Sequence, residues 1–418
     1  VKIVFLCASL EPGRDGVGDY TRHLAIECAS LGHECTAIAL YDPHVPNEIE
    51  AVEDGVTLVR LPATEKWSGK HISRIGDRVR DAAPQWVSWQ FVAYGYHPKG
   101  FVPPGLRELA ARVRGPRNHM MLHELWIGLE ADSRRWPRLV GWAQRAGLLN
   151  LLRNYPPDSL HTSNPTYQTV LAHHGFTAGL LGLFGNVPVV GPEPGGGDIL
   201  PRFVPAAAGS ARSTWLIGIT FGTLHPQWRP EATVEWLLAT ASRHGLQPAL
   251  IAAGRIGAHG AAILERFSQG NIVVCVTGEQ DPRTISQLLR AADYGIAPNP
   301  WALIGKSGAA AAMLDHGLPV LVPRDDWQLR GVSIQPVAAT DPLLTRLAAL
   351  DADATDTWLG SRREPAASLP RIAADFLKAL ASAEARPRSA LASAAASTPL
   401  PMNFLFYVPQ MASYGGIE

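Results

Sequence analysis

Four residues late in the chain have the types and spacing for phosphate chemistry. Gly305, Lys306, Ser307 and Gly308 lead into the small-residue run Ala309–Ala312, and Gly317 ends that run before Leu318-Pro319-Val320-Leu321-Val322 starts a strand. A glycine loop at the start of a helix turns backbone N–H groups and the positive end of the helix dipole toward an anion, and Lys306 adds a full charge. The plain alternative is a small-residue loop with a solvated lysine. The run is not a P-loop. G-x-x-x-x-G-K-S requires glycine at 300, whereas Pro300 stands there, with no N–H to offer a phosphate and a restricting effect on Asn299.

Other residues fall where strands should end. Arg255 follows Ala252-Ala253-Gly254, and its guanidinium fork would join Lys306 in holding two phosphates; alone, it would be an ordinary loop arginine. Gly222 and Thr223 follow the apolar run Trp215–Phe221 and would let a loop come close to a phosphate, with His225 nearby. His123 follows Met120-Met121-Leu122, at the strand edge where α/β proteins gather ligands, and suits proton transfer or hydrogen bonding. It is not half of a zinc motif, because Ile127 occupies the place of the second histidine in H-E-x-x-H. Gly16 and Gly18 lie between a strand and a helix, where their amides would face a phosphate or a reacting centre, or would simply make a tight turn. Thr21 replaces the third glycine of a dinucleotide fingerprint, which disfavours a nicotinamide oxidoreductase. Among the aromatics, Trp86 and Phe91 read as core, whereas Tyr94, in the loop to Gly100, and Trp126 are candidates for contact with a second substrate. No metal-ligand cluster is evident.

The elements that must hold these residues form two series. V-K-I-V-F-L-C-A-S-L reads as a buried strand, followed by a glycine loop, a helix over Asp19–Leu31 and a second strand over Cys35–Tyr41. That is a βαβ unit with a parallel sheet. Further strands are expected at Val56–Leu61, Trp86–Phe91, Met120–Leu122, Leu160–Thr162 and Leu180–Phe184. Gly191–Arg212 is rich in Gly, Pro and Ala and reads as a crossing between domains. A second series follows at Trp215–Phe221, Ala249–Ala252, Ile272–Val276, Tyr294–Ala297 and Val320–Val322. The expectation is two doubly wound domains, 1–200 and 213–380, with the active site in the cleft between them. Ala381–Pro401 is rich in Ala, Ser and Pro and reads as a flexible linker. Residues 402–418, M-N-F-L-F-Y-V-P-Q-M-A-S-Y-G-G-I-E, repeat the strand-and-glycine-loop pattern of the N-terminus and read as the cut-off start of another such module.

Composition limits the function classes. The 37 basic and 37 acidic residues balance, which argues against a nucleic-acid footprint or a polybasic membrane patch. Hydrophobic residues make up 46% of the 418, as packed globular domains require. Cys7, Cys28, Cys35 and Cys275 lack C-x-x-C spacing and read as reduced thiols of a cytoplasmic protein. Thr177–Gly191 is apolar but too short and too broken by Gly and Pro to span a bilayer.

Taken in order, these segments resemble a GT-B glycosyltransferase over about residues 1–380. G-V-G-D-Y-T-R-H-L-A with L-G-H-E-C is similar to the family's first glycine loop, helix and second strand. M-L-H-E-L-W-I-G resembles the loop that carries a histidine near the reacting sugar. H-T-S-N-P-T-Y and L-F-G-N-V-P resemble the passage between domains, I-G-I-T-F-G-T-L-H-P-Q-W the opening of the donor domain, and G-K-S-G-A with H-G-L-P-V its nucleotide-diphosphate helix. The resemblance implies a GT-B α/β fold of two Rossmann-like domains and transfer of a sugar from a nucleotide-diphosphate donor to a saccharide or lipid-linked acceptor, in cell-surface polysaccharide or glycoconjugate synthesis. It implies an acceptor-binding N-terminal domain and a donor-binding C-terminal domain. His123 would be the catalytic residue. Lys306, Arg255, Gly305, Ser307, Gly308, Gly222 and Thr223 would face the donor phosphates, and Tyr94 and Trp126 the acceptor. It further implies no cofactor beyond the nucleotide sugar, no metal, no nucleic-acid partner, peripheral membrane association and fusion to a second transferase module. One departure stands out: the retaining branch of this fold carries two Glu residues eight apart, and the matching positions here are Ile304 and Ala312. That departure keeps two alternatives in view, a non-catalytic carbohydrate-binding or scaffold domain and a nucleotide-sugar epimerase.

Overall fold

Strands such as Ile3–Cys7, buried along their whole length, need cover on both faces, and a parallel sheet flanked by helices provides it. The computed structural model describes residues 1–63, 67–191, 199–332 and 341–386. It divides into two units. Of the described residues, one unit comprises 1–162, 171–181 and 373–386; the other comprises 163–170 and 182–372.

The first unit holds an eight-stranded sheet: β1 (Lys2–Cys7), β2 (Glu34–Asp42), β3 (Ile49–Glu53), β4 (Val56–Pro62), β5 (Trp86–Phe91), β6 (Arg117–Leu122), β7 (Ser159–Thr162) and β8 (Gly179–Leu180), in the order β3-β4-β2-β1-β5-β6-β7-β8. All pairs are parallel except the β3–β4 hairpin. Asp54 and Gly55 turn that hairpin with positive φ at both positions, as a tight two-residue turn demands. β3 is a largely exposed edge strand carrying Glu50 and Glu53, so it has no apolar pattern by which to be expected. The expected strand at Leu180–Phe184 is shorter, Gly179–Leu180.

The second unit holds six parallel strands: β9 (Trp215–Phe221), β10 (Gln247–Ala253), β11 (Val273–Gly278), β12 (Tyr294–Ile296), β13 (Val320–Val322) and β14 (Leu344–Arg346), ordered β11-β10-β9-β12-β13-β14. Ile217, Ile219, Ala249, Ile251, Val320 and Val322 form one side of its core, with Met313 of the helix Gly308–Asp315 packed on them. In both sheets the chain order reverses beside the first strand, at β1 and at β9. At such a switch point the helices on either side diverge and leave a crevice at the strands' C-terminal ends.

The unit boundaries differ from a single cut near residue 200. The passage 182–191 packs with the second unit, and the last described helix, Leu369–Glu384, returns from Ala373 onward to the first. There Phe376 meets the rings of Phe5 and His119 at 5.7 and 5.0 Å. Trp86 Nε1 donates to Glu384 at 2.6 Å, and Arg117 donates to the Ala383 and Glu384 carbonyls, both at 3.0 Å. The second domain therefore does not extend to 380. Nor does the flexible linker begin at Ala381, because Ala381–Glu384 is helical and Ala383 is buried. Apart from the helix end at 384 and the two residues after it, the proposed linker and all of 402–418 lie outside the described residues. Among the described residues, no helix is long and apolar enough to cross a membrane.

Candidate functional site

Each unit gathers polar side chains where its strands end. In the second, β9 runs into Gly222, whose N–H donates to the Ala253 carbonyl at 2.9 Å, and β10 into Gly254, whose N–H donates to Gly278 at 2.9 Å. Both glycines have φ near +80°, a conformation costly to any residue with a Cβ. The loops after β9 and β10 are thus locked together at the sheet edge, with Thr223 exposed on the first and Arg255 half-buried on the second. Arg255 is ion-paired to Glu279, Nε to Oε1 at 3.1 Å.

After β12 the chain passes Asn299 and Pro300 and enters a 3₁₀ turn, Trp301–Lys306, before the helix Gly308–Asp315. Ser307 is that helix's N-cap. Its Oγ accepts from Ala310 N at 3.2 Å and donates to Asn299 Oδ1 at 2.8 Å. One first-turn N–H is thereby satisfied by a neutral hydroxyl, and the helix start stays electropositive. Gly305 has a packing reason to be glycine, since a Cβ there would sit 2.8 Å from the Ser163 carbonyl oxygen. Gly308 has open space around the position of its missing Cβ.

Arg324, two residues beyond β13, completes this edge and was not among the sequence candidates. It is 3% exposed. Its guanidinium donates to His225 Nδ1 at 2.8 Å, to Gln227 Oε1 at 3.1 Å and to both carboxylate oxygens of Asp326 at 3.1 and 2.9 Å. Because His225 Nδ1 accepts, its proton resides on Nε2. Burial, then Arg324, then Lys306 push its titration down to about 4, which also places the Lys306 charge within reach of His225. Lys306, His225 and Arg324 therefore converge beside the helix start. The signal for Arg324 was present in the sequence: an arginine directly after an apolar strand, as at Arg255.

Ile304 and Ala312, which stand where the retaining branch has glutamates, are 2% and 0% exposed. A Cβ on Gly185 would lie 2.6 Å from Ala312 Cα. The helix is pressed so closely at this point that only a small side chain fits.

In the first unit the helix Gly16–Ser30 follows β1, and Asp15 is its N-cap, accepting from Val17 N and Gly18 N at 2.8 and 2.9 Å. Two of the helix-start amides, those of Val17 and Gly18, are thus taken up by the chain's own carboxylate. Burial pushes the titrations of Asp15 and of nearby Asp19 up. Gly18 is required by packing, since a Cβ would meet the Ser9 carbonyl oxygen at 2.3 Å, whereas Gly16 is unhindered.

His123 stands just past the end of β6, its N–H donating to the Phe91 carbonyl at 3.0 Å. The residue is 7% exposed; its ring meets Tyr20 edge-on at 4.9 Å and bonds through Nε2 to Gln90 Oε1 at 2.9 Å. Burial pushes its titration down to about 3, so the imidazole is neutral at physiological pH. Tyr94 accepts at its hydroxyl from Gln144 Nε2 at 3.0 Å, and Gln144 also bonds Lys99 O and Ile127 N. Tyr94 lies in a short helix, Ala93–Tyr96, rather than in the expected loop, and pins that turn to the helix Arg135–Asn154. Trp126 is buried, 8% exposed, with His174 at 5.5 Å, so it has little free face on which to stack a sugar. Among the described residues no group of three or more His, Cys, Asp or Glu is placed to hold a metal ion.

No family model matches the chain, and no curated protein matches it in sequence. Solved structures do match in fold. The Anabaena HepE protein, in complex with UDP and glucose, is similar over 91% of this chain and 99% of its own, with a TM-score of 0.53 and 13% identity. Sucrose-phosphate synthase from Thermosynechococcus elongatus matches over 91% and 94%, with a TM-score of 0.52 and 15% identity. The catalytic domain of Arabidopsis thaliana starch synthase IV, bound to ADP and acarbose, matches over 92% and 100%, with a TM-score of 0.52 and 10% identity. The chain has the GT-B fold, two Rossmann-like domains, that it shares with these glycosyltransferases.

Proposed function

We propose that this GT-B chain is a glycosyltransferase, taking a sugar from a nucleotide-diphosphate donor to a saccharide or lipid-linked acceptor, in cell-surface polysaccharide or glycoconjugate synthesis. One observation carries the reading: Lys306, Arg324 and His225 converge beside the start of the helix Gly308–Asp315 at the C-terminal edge of the second sheet. Breaking the bond from the sugar's anomeric carbon to the diphosphate leaves negative charge on the diphosphate oxygens. Preorganised cations and helix-start amides stabilise that charge most where it develops. Gly222, Thr223 and Gly308 line the same edge and allow close approach of the phosphates; Arg255 reaches them by exchanging Glu279 for a phosphate oxygen. In the first unit, neutral His123 hydrogen-bonds the sugar and does not act as a cation. The fold's occurrence in HepE with UDP and glucose bound is in keeping with this assignment.

A second reading rests on the buried Ile304 and Ala312: a carbohydrate-binding domain of this fold without transferase activity. Calorimetric titration separates the two. Nucleoside diphosphates such as UDP and ADP should bind, with UMP and AMP weaker, and donor turnover should follow when an acceptor is supplied. Binding of free saccharides with no affinity for any nucleoside diphosphate would establish the second reading instead.

A further inference from the structure

Polar side chains cluster on one face of the first sheet. Ser88 and Gln90 lie two apart on β5. His119 is paired with Ser88 across the ladder, and Met121, two residues on, is paired with Gln90 on one side and His161 on the other. Ser88, Gln90 and His119 are 0% exposed, and the edge of the His119 ring is covered by Phe376. Polar groups taken this far from water must find partners within the protein, and each of these bonds the next. His123 Nε2 meets Gln90 Oε1 at 2.9 Å, and Gln90 Nε2 meets Ser88 Oγ at 2.8 Å. Ser88 Oγ meets His119 Nδ1 at 2.8 Å, and His119 Nε2 meets His161 Nδ1 at 3.2 Å.

The Gln90 carboxamide gives this line a direction. Its nitrogen only donates, so Ser88 Oγ accepts from it and turns its own proton to His119 Nδ1. His119 then carries its proton on Nε2 and donates to His161 Nδ1. At the other end the Gln90 oxygen only accepts, so His123 carries Nε2–H and keeps a lone pair on Nδ1. Burial lowers the titration of all three histidines, to about 3 for His123 and about 4 for His161, so each is a neutral ring with one proton to place. Reversing any one link requires reversing the rest, because Gln90, Ser88 and His119 each both give and take.

We propose that Gln90, Ser88, His119 and His161 are positioning residues that set the tautomer of His123, making its Nδ1 a hydrogen-bond acceptor for a sugar hydroxyl. The ligand half of this statement rests on the reading of His123 given above; the tautomer half does not. The consequence is directional. His123 can take a hydrogen bond from an O–H group but has no N–H left with which to give one.

Long-range ¹H–¹⁵N spectra of histidine-labelled full-length protein at neutral pH test this directly. Wild-type His123, His119 and His161 should each show the Nε2–H tautomer. Ser88→Ala, two links away from His123, should turn its signal into a tautomer mixture while backbone amide shifts beyond β5 and β6 stay in place. Turnover of the same variant should fall about tenfold, the worth of one neutral hydrogen bond, with the donor KM unchanged. His123 as Nδ1–H or as a mixture in the wild type overturns the proposal, and so does an unaltered tautomer in Ser88→Ala. Should that variant fail to fold, the wild-type spectrum and Gln90→Met, in which His123 loses its acceptor, decide the matter in the same way. Three Nε2–H tautomers in a protein that transfers no sugar would uphold the line and overturn the ligand reading of His123.

Discussion

Both units place a helix start and a histidine at the C-terminal edge of their sheets, yet the two edges have opposite electrical character. In the first, the helix amides are already bonded to the Asp15 carboxylate, Asp19 adds a second acidic group, and His123 is neutral and buried. In the second, the cap is the uncharged Ser307 hydroxyl, with Lys306 and Arg324 beside it. A carboxylate N-cap spends the favourable interaction that an incoming phosphate would otherwise make, whereas a hydroxyl cap leaves most of it available. The same strand–loop–helix plan thus makes a poor anion site in one unit and a good one in the other. The difference lies in a handful of side chains at the strand ends.

The largest test of this contrast is on turnover. His123→Ala, which removes the sugar's hydrogen-bond partner and leaves buried Gln90 without its donor, should lower kcat by about 10–10²-fold while nucleoside-diphosphate affinity, belonging to the other unit, stays the same; circular dichroism checks that the fold persists. An equal loss of diphosphate affinity would erase the distinction between the edges.

Acid should act unequally too. The folded first unit holds His119, His123 and His161 neutral with titrations lowered by burial. In the unfolded chain these groups take up protons below about pH 6.5. Their contribution is therefore complete above that pH and is lost as pH falls from about 6.5 toward 4, by up to about 1.4 kcal/mol per pH unit for each histidine. Hydrogen exchange at pH 7 and pH 5 should show β5–β7 losing more protection than β9–β12, where His225 is the main counterpart at the ligand edge. Equal losses would mean that the buried histidines do not govern acid stability.

Truncation after Ala381 should also fall on one unit. It removes buried Ala383, the Glu384 partner of Trp86 and the carbonyls that hold Arg117. The expected cost is about 2–4 kcal/mol, from hydrogen bonds to charged groups together with lost packing. Denaturant melts followed by hydrogen exchange should show it in the first sheet, with nucleoside-diphosphate binding retained. An unchanged melt would mean that the end of this helix contributes nothing.

The smallest effect expected is from Lys306→Ala, which should weaken UDP or ADP binding by about 1.5–3 kcal/mol, the range for a charge-assisted hydrogen bond. It should leave the tautomer of His123 untouched. Undiminished affinity would remove Lys306 from the site and leave Arg324 as its main cation.

The sequence by itself determined the local parts: the two α/β series, the helix that starts at Gly308, and the strand ends bearing Gly222, Arg255 and His123. These follow from periodicity, glycine and the run of apolar residues, which act over a few positions along the chain. It did not reveal that Arg324 bonds His225, because those residues lie 99 positions apart and meet only when β13 and β9 join one sheet with β12 between them. It also gave no warning that the helix Leu369–Glu384 would cover the first sheet, since its Phe376 could equally have packed on the second. The Asp15 cap was hidden because the helix starts at Gly16, three residues before Asp19, so that Gly16 and Gly18 read as a loop rather than as a capped first turn. Ser88, Gln90, His119 and His161 were visible only as polar interruptions within apolar strands. What turned those interruptions into a single bonded line was register: the pairing of β5, β6 and β7 sets which side chains face one another, and that is decided by the sheet as a whole and by no strand alone.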